Sequence, residues 1–336
     1  MLALTTEPLG RDWKVVDGRI LEIEPARRLV MTWAAHWDEA VTRDPASRVT
    51  YELTPIDPTT TKLRLVHDDF AGQTATYKGQ RHHGGPIFHT TNVATIYWSS
   101  ATIYNRGPLP GAKGSGAQDG SLVGFFLRNL GGSPYFNINT TYFDGTGTHV
   151  QNSVTYTQFW ADGNGPSGTV SDAQVQQEVV RGLTSGALTF DPSTLYAVFS
   201  GPGVNLGGGF GTQYCAYHGH FSSSVGDVKY AVMPYDWSDP AGCSAITGSG
   251  PNGDPAADTE VNTLAHETEE TTTDEDLNAW FDRRGFENAD KCAWTFGTTY
   301  ATPNGSTANM KLGGQDFLVQ RNWVNAGSGG CLVSYP

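Results

Sequence analysis

The chain's strongest chemical signal is the run Leu264-Ala265-His266-Glu267-Thr268-Glu269-Glu270. Upstream, Asp254-Pro255 predicts a helix start near residue 255, because Asp caps the first free amides and Pro suits the first helical position. On that helix Val261, Leu264, Ala265 and Thr268 form an inward stripe. His266 and Glu270, four residues apart, project together from the adjoining face. An imidazole and a carboxylate so placed can hold one divalent cation, and Glu267 between them can serve as general base toward a water held there. Glu287-Asn288-Ala289-Asp290 offers the third ligand. Glu287 completes the set, and Asp290 accepts the hydrogen bond of the His266 ring nitrogen turned away from the cation.

The arrangement resembles a zincin helix in which Glu270 stands for the second histidine. The Glu-Asn-x-x-Asp run is similar to the third-ligand helix of the gluzincin metallopeptidases, and the seventeen residues from Glu270 to Glu287 are close to their spacing. One His and two Glu form a neutral set with Zn²⁺. Its Lewis acidity is weaker than that of a two-histidine set, and oxygen-rich ligands leave Mg²⁺, Mn²⁺ or Ca²⁺ as competitors. A lone His-Glu-x-x-Glu also arises on any solvated acidic helix face; the downstream pair turns the reading toward a metal.

Other residues carry weaker signals. Asp274-Glu275-Asp276 lacks the alternating ligands and central Gly of a calcium loop and reads as a solvated capping run. His218 and His220 are two apart, so on a strand they share a face and come within reach of a cation, although such histidines more often serve structure or substrate contact. His82 and His83 read as part of an N-terminal turn. No GxSxG elbow supports a serine nucleophile. Asn139-Thr-Thr and Asn304-Gly-Ser match glycan acceptors.

The elements that must position these residues belong to a chain of 336 residues, long enough for two units or one enlarged one. With 21 Lys and Arg against 34 Asp and Glu, a net charge of −13 excludes a binder of the phosphate backbone of nucleic acid. No apolar run is long enough to span a membrane. Charged residues are only 16% while Gly reaches 41, a mix typical of loop-rich extracellular proteins. Cys215, Cys243, Cys292 and Cys331 suit two disulfides better than a zinc site. Of three pairings, the sequential one, Cys215 with Cys243 and Cys292 with Cys331, closes the shorter loops. The first residues show neither a basic nor an apolar leader segment, so no signal peptide is visible.

Residues 1–75 read as a hairpin series of short strands, from Trp13–Val16 through Gly18–Ile23, Leu29–Trp33 and Arg48–Leu53 to Lys62–His67. Residues 76–90 read as a linker. Beyond it, Val93–Trp98, Leu195–Ser200 and Lys229–Pro234 read as buried strands. Leu122–Leu130 and Asp172–Leu183 read as amphipathic helices, so 91–336 forms a layered α/β core.

Within the first part, Asp17-Gly18-Arg19-Ile20-Leu21-Glu22-Ile23 through Trp33, then Ser47-Arg48-Val49-Thr50-Tyr51-Glu52-Leu53, then Thr61 to Phe70, resemble a piece of the SRPBCC superfamily of the Hsp90 ATPase activator homologue type. That resemblance implies a curved antiparallel sheet gripping a long helix around an apolar ligand, but no amphipathic helix follows Phe70. Residues ~80–336 resemble the phosphate-induced protein 1 / EXORDIUM family of plant extracellular proteins with bacterial relatives. The likeness rests on His83-Gly84-Gly85-Pro86, Lys229-Tyr230-Ala231, Pro251-Asn252-Gly253-Asp254, Ala265 to Asp274, Asp276-Leu277-Asn278-Ala279-Trp280-Phe281-Asp282, Glu287 to Gly297, and Asn322-Trp323-Val324. Glu269 and Glu275 depart from the family pattern of a small residue and a proline. This resemblance implies secretion and action in the wall or extracellular space.

The expectation is an α/β (α+β) zincin-like main domain with disulfides behind a short antiparallel β appendage. Its function is expected to be that of an extracellular-type metal-dependent, peptidase-like hydrolase acting on a peptide or cell-wall-associated substrate. Zn²⁺ or another divalent cation would sit on His266, Glu270 and Glu287, with Glu267 as base and Asp290 behind the ring. The alternatives are a non-catalytic signalling or wall-interaction protein with a structural metal or none, and an apolar-ligand carrier centred on the first 75 residues.

Overall fold

The computed structural model describes residues 2–5, 14–35, 46–55, 61–68, 79–205, 209–327 and 329–336. The chain divides into two units, Met1–Gly79 and Gln80–Pro336.

In the first unit β1 (Leu2–Thr5), β2 (Lys14–Gly18), β4 (Arg28–Ala35), β5 (Ser47–Pro55) and β6 (Thr61–Asp68) follow one another across an antiparallel sheet, and β3 (Ile20–Glu24) pairs with β4. The hairpin series expected from the alternation is therefore present. Met31 lies opposite Val49, and both are buried. Glu52 joins Arg28 and Arg64 across three neighbouring strands at 2.7 and 2.8 Å. Trp13, Asp69 and Phe70, which the sequence reading used, lie outside the described residues.

The second unit is built on a mixed sheet. Its strands are β8 (Thr91–Trp98), β9 (Lys113–Ser115), β10 (Val154–Asp162), β12 (Thr194–Ser200), β14 (Tyr217–Ser223) and β15 (Gly226–Met233), in the order β14-β15-β12-β8-β10-β9. The central four run parallel, while β14 and β9 are antiparallel edges. The short strands β11 (Gly168–Thr169) and β13 (Val204–Asn205) pair outside it.

Alternation along each central strand splits the core in two. Val93, Tyr97, Leu195, Ala197, Phe199, Ala231 and Met233 face one way, against α1 (Leu122–Leu130) and α4 (Pro255–Thr273). Ala94, Ile96, Tyr196, Val198, Val228 and Val232 face the other, against α2 (Asp172–Thr184). Continuous apolar runs such as Thr194–Ser200 are what a strand covered on both faces requires. A short α3 (Pro240–Cys243) lies between the sheet and α4 in sequence.

Several expectations are corrected. Residues 80–90 are not a linker: β7 (Arg81–His82) pairs with β16 (Trp280–Phe281), and Ile87 and Phe88 are buried in the second unit. His82 and His83 therefore belong to a strand and its end, and the His83 ring stacks on Phe281. Asn139 is wholly buried and holds Asn288 by a 3.1 Å side-chain hydrogen bond, so its acceptor motif has no room for a glycan. Both disulfides form in the sequential pairing, Cys215–Cys243 and Cys292–Cys331.

Candidate metal centre

Helix α4 begins as its sequence requires. Asp254 accepts a hydrogen bond from the Ala257 amide and Pro255 occupies the first turn. The expected single inward stripe is not what forms, because almost the whole helix is buried and His266 alone of its central residues is partly open. Its threonines make this tolerable: Thr268, Thr271 and Thr272 each donate a hydroxyl to the carbonyl four residues back, at 2.7 Å, so no hydroxyl is left unpaired. The helix ends at Asp274, whose carboxylate accepts the Asn278 and Ala279 amides at 2.6 and 2.5 Å. Asp274 thus caps as expected, but it and Glu275 are buried rather than solvated.

The sheet delivers the opposite wall. On β14, His218 stands directly opposite Ala231, and paired residues of an antiparallel ladder share a face. Ala231 packs on the α4 side, so His218 points at the helix. His220 shares that face but pairs instead with Asp227 and Asp276, both of which also form ion pairs with the Lys229 ammonium. That trio forms an ion-pair cluster.

Around α4 the predicted residues divide into two sets. His266 Nε2 lies 3.1 Å from Glu270 Oε1 and 3.6 Å from Asp290 Oδ1. His218 Nε2 lies 3.1 Å from Glu287 Oε2 and 3.8 Å from Glu270 Oε2. Ligand atoms of His266, Glu270 and Asp290, and likewise of His218, Glu267 and Glu270, fall within 4.8 Å of one another. Glu287 therefore meets His218 rather than joining His266. Asp290, expected behind the ring, faces the same ring nitrogen as Glu270. The reason is local. Glu287 and Asp290 do not lie on one α-helix; Glu287 precedes a turn that becomes a 3-10 helix only at Asp290–Cys292. The two carboxylates consequently turn to opposite sides of Glu270, and the Asp290 amide donates to Glu270 Oε1 at 2.9 Å.

The position behind the His266 ring is taken by Gln320, whose amide lies 3.3 Å from Nδ1. The Gln320 oxygen accepts the Trp294 amide at 2.5 Å, so it is the Gln320 nitrogen that faces Nδ1. A ring that binds a cation through Nε2 carries its proton on Nδ1, and the Gln320 amide would have to turn over to receive it. No sequence pattern marks Gln320. His218 had a signal in its spacing from His220, but only the strand register selects it.

His266, Glu267, Asp290 and Gln320, with Tyr214, Cys215, Ala216 and Trp294, line a cavity of about 270 Å³. Burial pushes Glu267 up to about 7 against the pull of His266, and pushes Glu287 up to about 8 against that of His218. Burial alone would lower His218, but Glu287 outweighs it and raises the ring to about 10. His266 is raised likewise by Glu270 and Asp290 against its burial. Protons thus hold these charges together where no cation does.

Glu269 points elsewhere. It is fully buried, and burial holds its carboxyl well above the usual range, Asn139 and Asn322 only partly opposing this. A carboxyl raised in the folded state favours folding at low pH and loses that contribution as pH rises. Glu269→Gln, equal in shape and never charged, is expected to stabilise the protein increasingly from pH 5 to pH 9. Urea midpoints of the two proteins that do not diverge with pH would refute the neutral acid.

The concavity on the first unit's sheet is lined by Glu22, Arg28, Arg48, Glu52 and Arg64 together with Leu21, Val30 and Thr50, a polar surface rather than an apolar ligand chamber. Among the described residues no helix is long and apolar enough to cross a membrane.

No curated protein and no solved structure matches the chain. Residues 3–90 match the family described as Activator of Hsp90 ATPase homolog 1-like protein, so the N-terminal part carries an SRPBCC-type sequence, over about a quarter of the chain.

Proposed function

We propose that the second unit is a zincin-like, metal-dependent hydrolase acting on peptide-like chains outside the cell. The observation that carries this reading is the convergence of His218 and His266 with Glu267, Glu270, Glu287 and Asp290 around one helix, with His266, Glu267 and Asp290 lining a cavity. A divalent cation there would polarise a water and a substrate carbonyl. His266, Glu270 and Asp290 would hold it, which replaces Glu287 by Asp290 in the set expected from sequence. Glu267 lines the same cavity and is poised near neutrality to take a proton from that water.

Tyr214, Cys215 and Ala216 line the cavity and lead directly into edge strand β14, so an extended chain laid along that edge would pass over His266. The two disulfides and the likeness to the phosphate-induced protein 1 / EXORDIUM family favour an oxidising, extracellular setting. Zn²⁺ suits the histidines, while the carboxylates equally accept Mn²⁺ or Mg²⁺.

A structural role for the cation has one observation in its favour: Glu270 and His218 are 3% and 8% exposed and stand behind the cavity wall. In that reading the metal ties α4 to the Glu287–Asp290 segment of a non-catalytic signalling or wall-interaction protein. The test is turnover of a mixed peptide library by the purified full chain before and after chelation and metal return. Cleavage that chelation abolishes and Zn²⁺ or Mn²⁺ restores is the expected result. Metal bound without any cleavage would leave only the structural role.

A further inference from the structure

We infer that the site is built for two divalent cations bridged by the Glu270 carboxylate. This rests on the metal reading above and deepens it. Each oxygen of Glu270 faces a different histidine: Oε1 toward His266 Nε2 at 3.1 Å, Oε2 toward His218 Nε2 at 3.8 Å. Each histidine has a second carboxylate of its own, Asp290 at 3.6 Å and Glu287 at 3.1 Å. Ligands on ~2.0–2.2 Å bonds around a tetrahedral ion stand ~3.3–3.6 Å apart. The ligand atoms of His266, Glu270 and Asp290 lie within 4.8 Å of one another, and on the other side those of His218, Glu267 and Glu270 do, with Glu287 reaching His218 alone. A carboxylate bridge is also what holds two ions at the ~3.5–4 Å separation of two-metal hydrolytic sites.

Charge leads to the same count. With its two histidines neutral as ligands, the set would carry the charge of four carboxylates, Glu267, Glu270, Glu287 and Asp290, the last with its side chain 39% exposed. One divalent ion compensates half of these; two compensate all of them. Glu267 and Glu287 also keep acceptor capacity for a ligand. Glu287 Oε1 is buried with no hydrogen-bond partner, and Glu267 is 3% exposed.

The two positions differ in access. His266 and Asp290 line the cavity, whereas His218, Glu270 and Glu287 do not. The ion at His266 is therefore the exchangeable one facing substrate, and the ion at His218 is enclosed behind it.

The experiment loads the full-length, chelator-stripped protein with Mn²⁺, counts the metal by mass spectrometry and records its paramagnetic resonance. Two ions per chain with an exchange-coupled spectrum are expected, and His218→Gln should reduce the count to one and remove the coupling. Two uncoupled ions would overturn the bridge. One ion that His266→Gln removes and His218→Gln leaves would overturn the second position while sparing the hydrolase reading. No bound ion would overturn both. Should a variant fail to fold, the wild-type count and spectrum still decide.

Discussion

Glu267→Gln is expected to lower peptide turnover by ~10²–10⁴-fold, the usual contribution of a positioned general base, with bound metal unchanged. The amide keeps the shape and an acceptor oxygen but cannot take a proton. Burial already pushes the Glu267 carboxyl up to about 7, where proton uptake near neutral pH is most effective. A structural role for Glu267 predicts something different: a lower melting temperature or metal content, with turnover changing only in proportion. Measuring turnover and metal on the same preparation separates the two. Undiminished cleavage by the variant would remove Glu267 from the mechanism.

Chelation is expected to destabilise the protein, and to do so more strongly as pH rises. Glu267 and Glu287, held at about 7 and about 8, retain protons in the metal-free folded chain that the unfolded chain has released above ~4.3. Their contribution to stability is therefore present below that pH and lost as pH climbs through 7 and 8. His218 and Glu287 face each other at 3.1 Å and titrate as a pair, so the ring adds no separate contribution. A cation displaces these protons, so binding strengthens over the same range. With free metal at a hundredfold its dissociation constant the loaded chain gains about 2.7 kcal/mol, or roughly 5–10 °C in melting temperature. Thermal melts with and without chelator at pH 6 and pH 9 test this. A gap that shrinks toward pH 9 would contradict the arrangement.

Much of the second unit's skeleton was legible in the chain. Runs such as Val93–Trp98 and Leu195–Ser200 are long enough and apolar enough to be covered strands, and the spacing of Leu122, Phe125, Phe126 and Leu130 fits a helix. The Asp254-Pro255 start of α4 is written locally, and so is the His266–Glu270 pair, because both depend on neighbours within a turn. The rest of the centre depends on distant partners. His218 reaches α4 only because β14 pairs with β15 in a register that sets it opposite Ala231. Asp290 changed sides because the Glu287 segment is a turn, and helical spacing does not apply to it. The buried flank of α4 was also hidden: no local pattern marks Glu260 and Glu269 as interior, and only the packing around them makes them buried acids.

The two cystines flank the centre. Cys215 lines the cavity, bonded to Cys243, while Cys292 ends the 3-10 segment that begins at Asp290 and is bonded to Cys331. Breaking the first bridge frees the chain over which substrate would lie; breaking the second frees the segment that carries Asp290 to His266. On the proposed metal reading, closing the two cystines would be a condition for metal capture, since a reduced chain would leave both segments free.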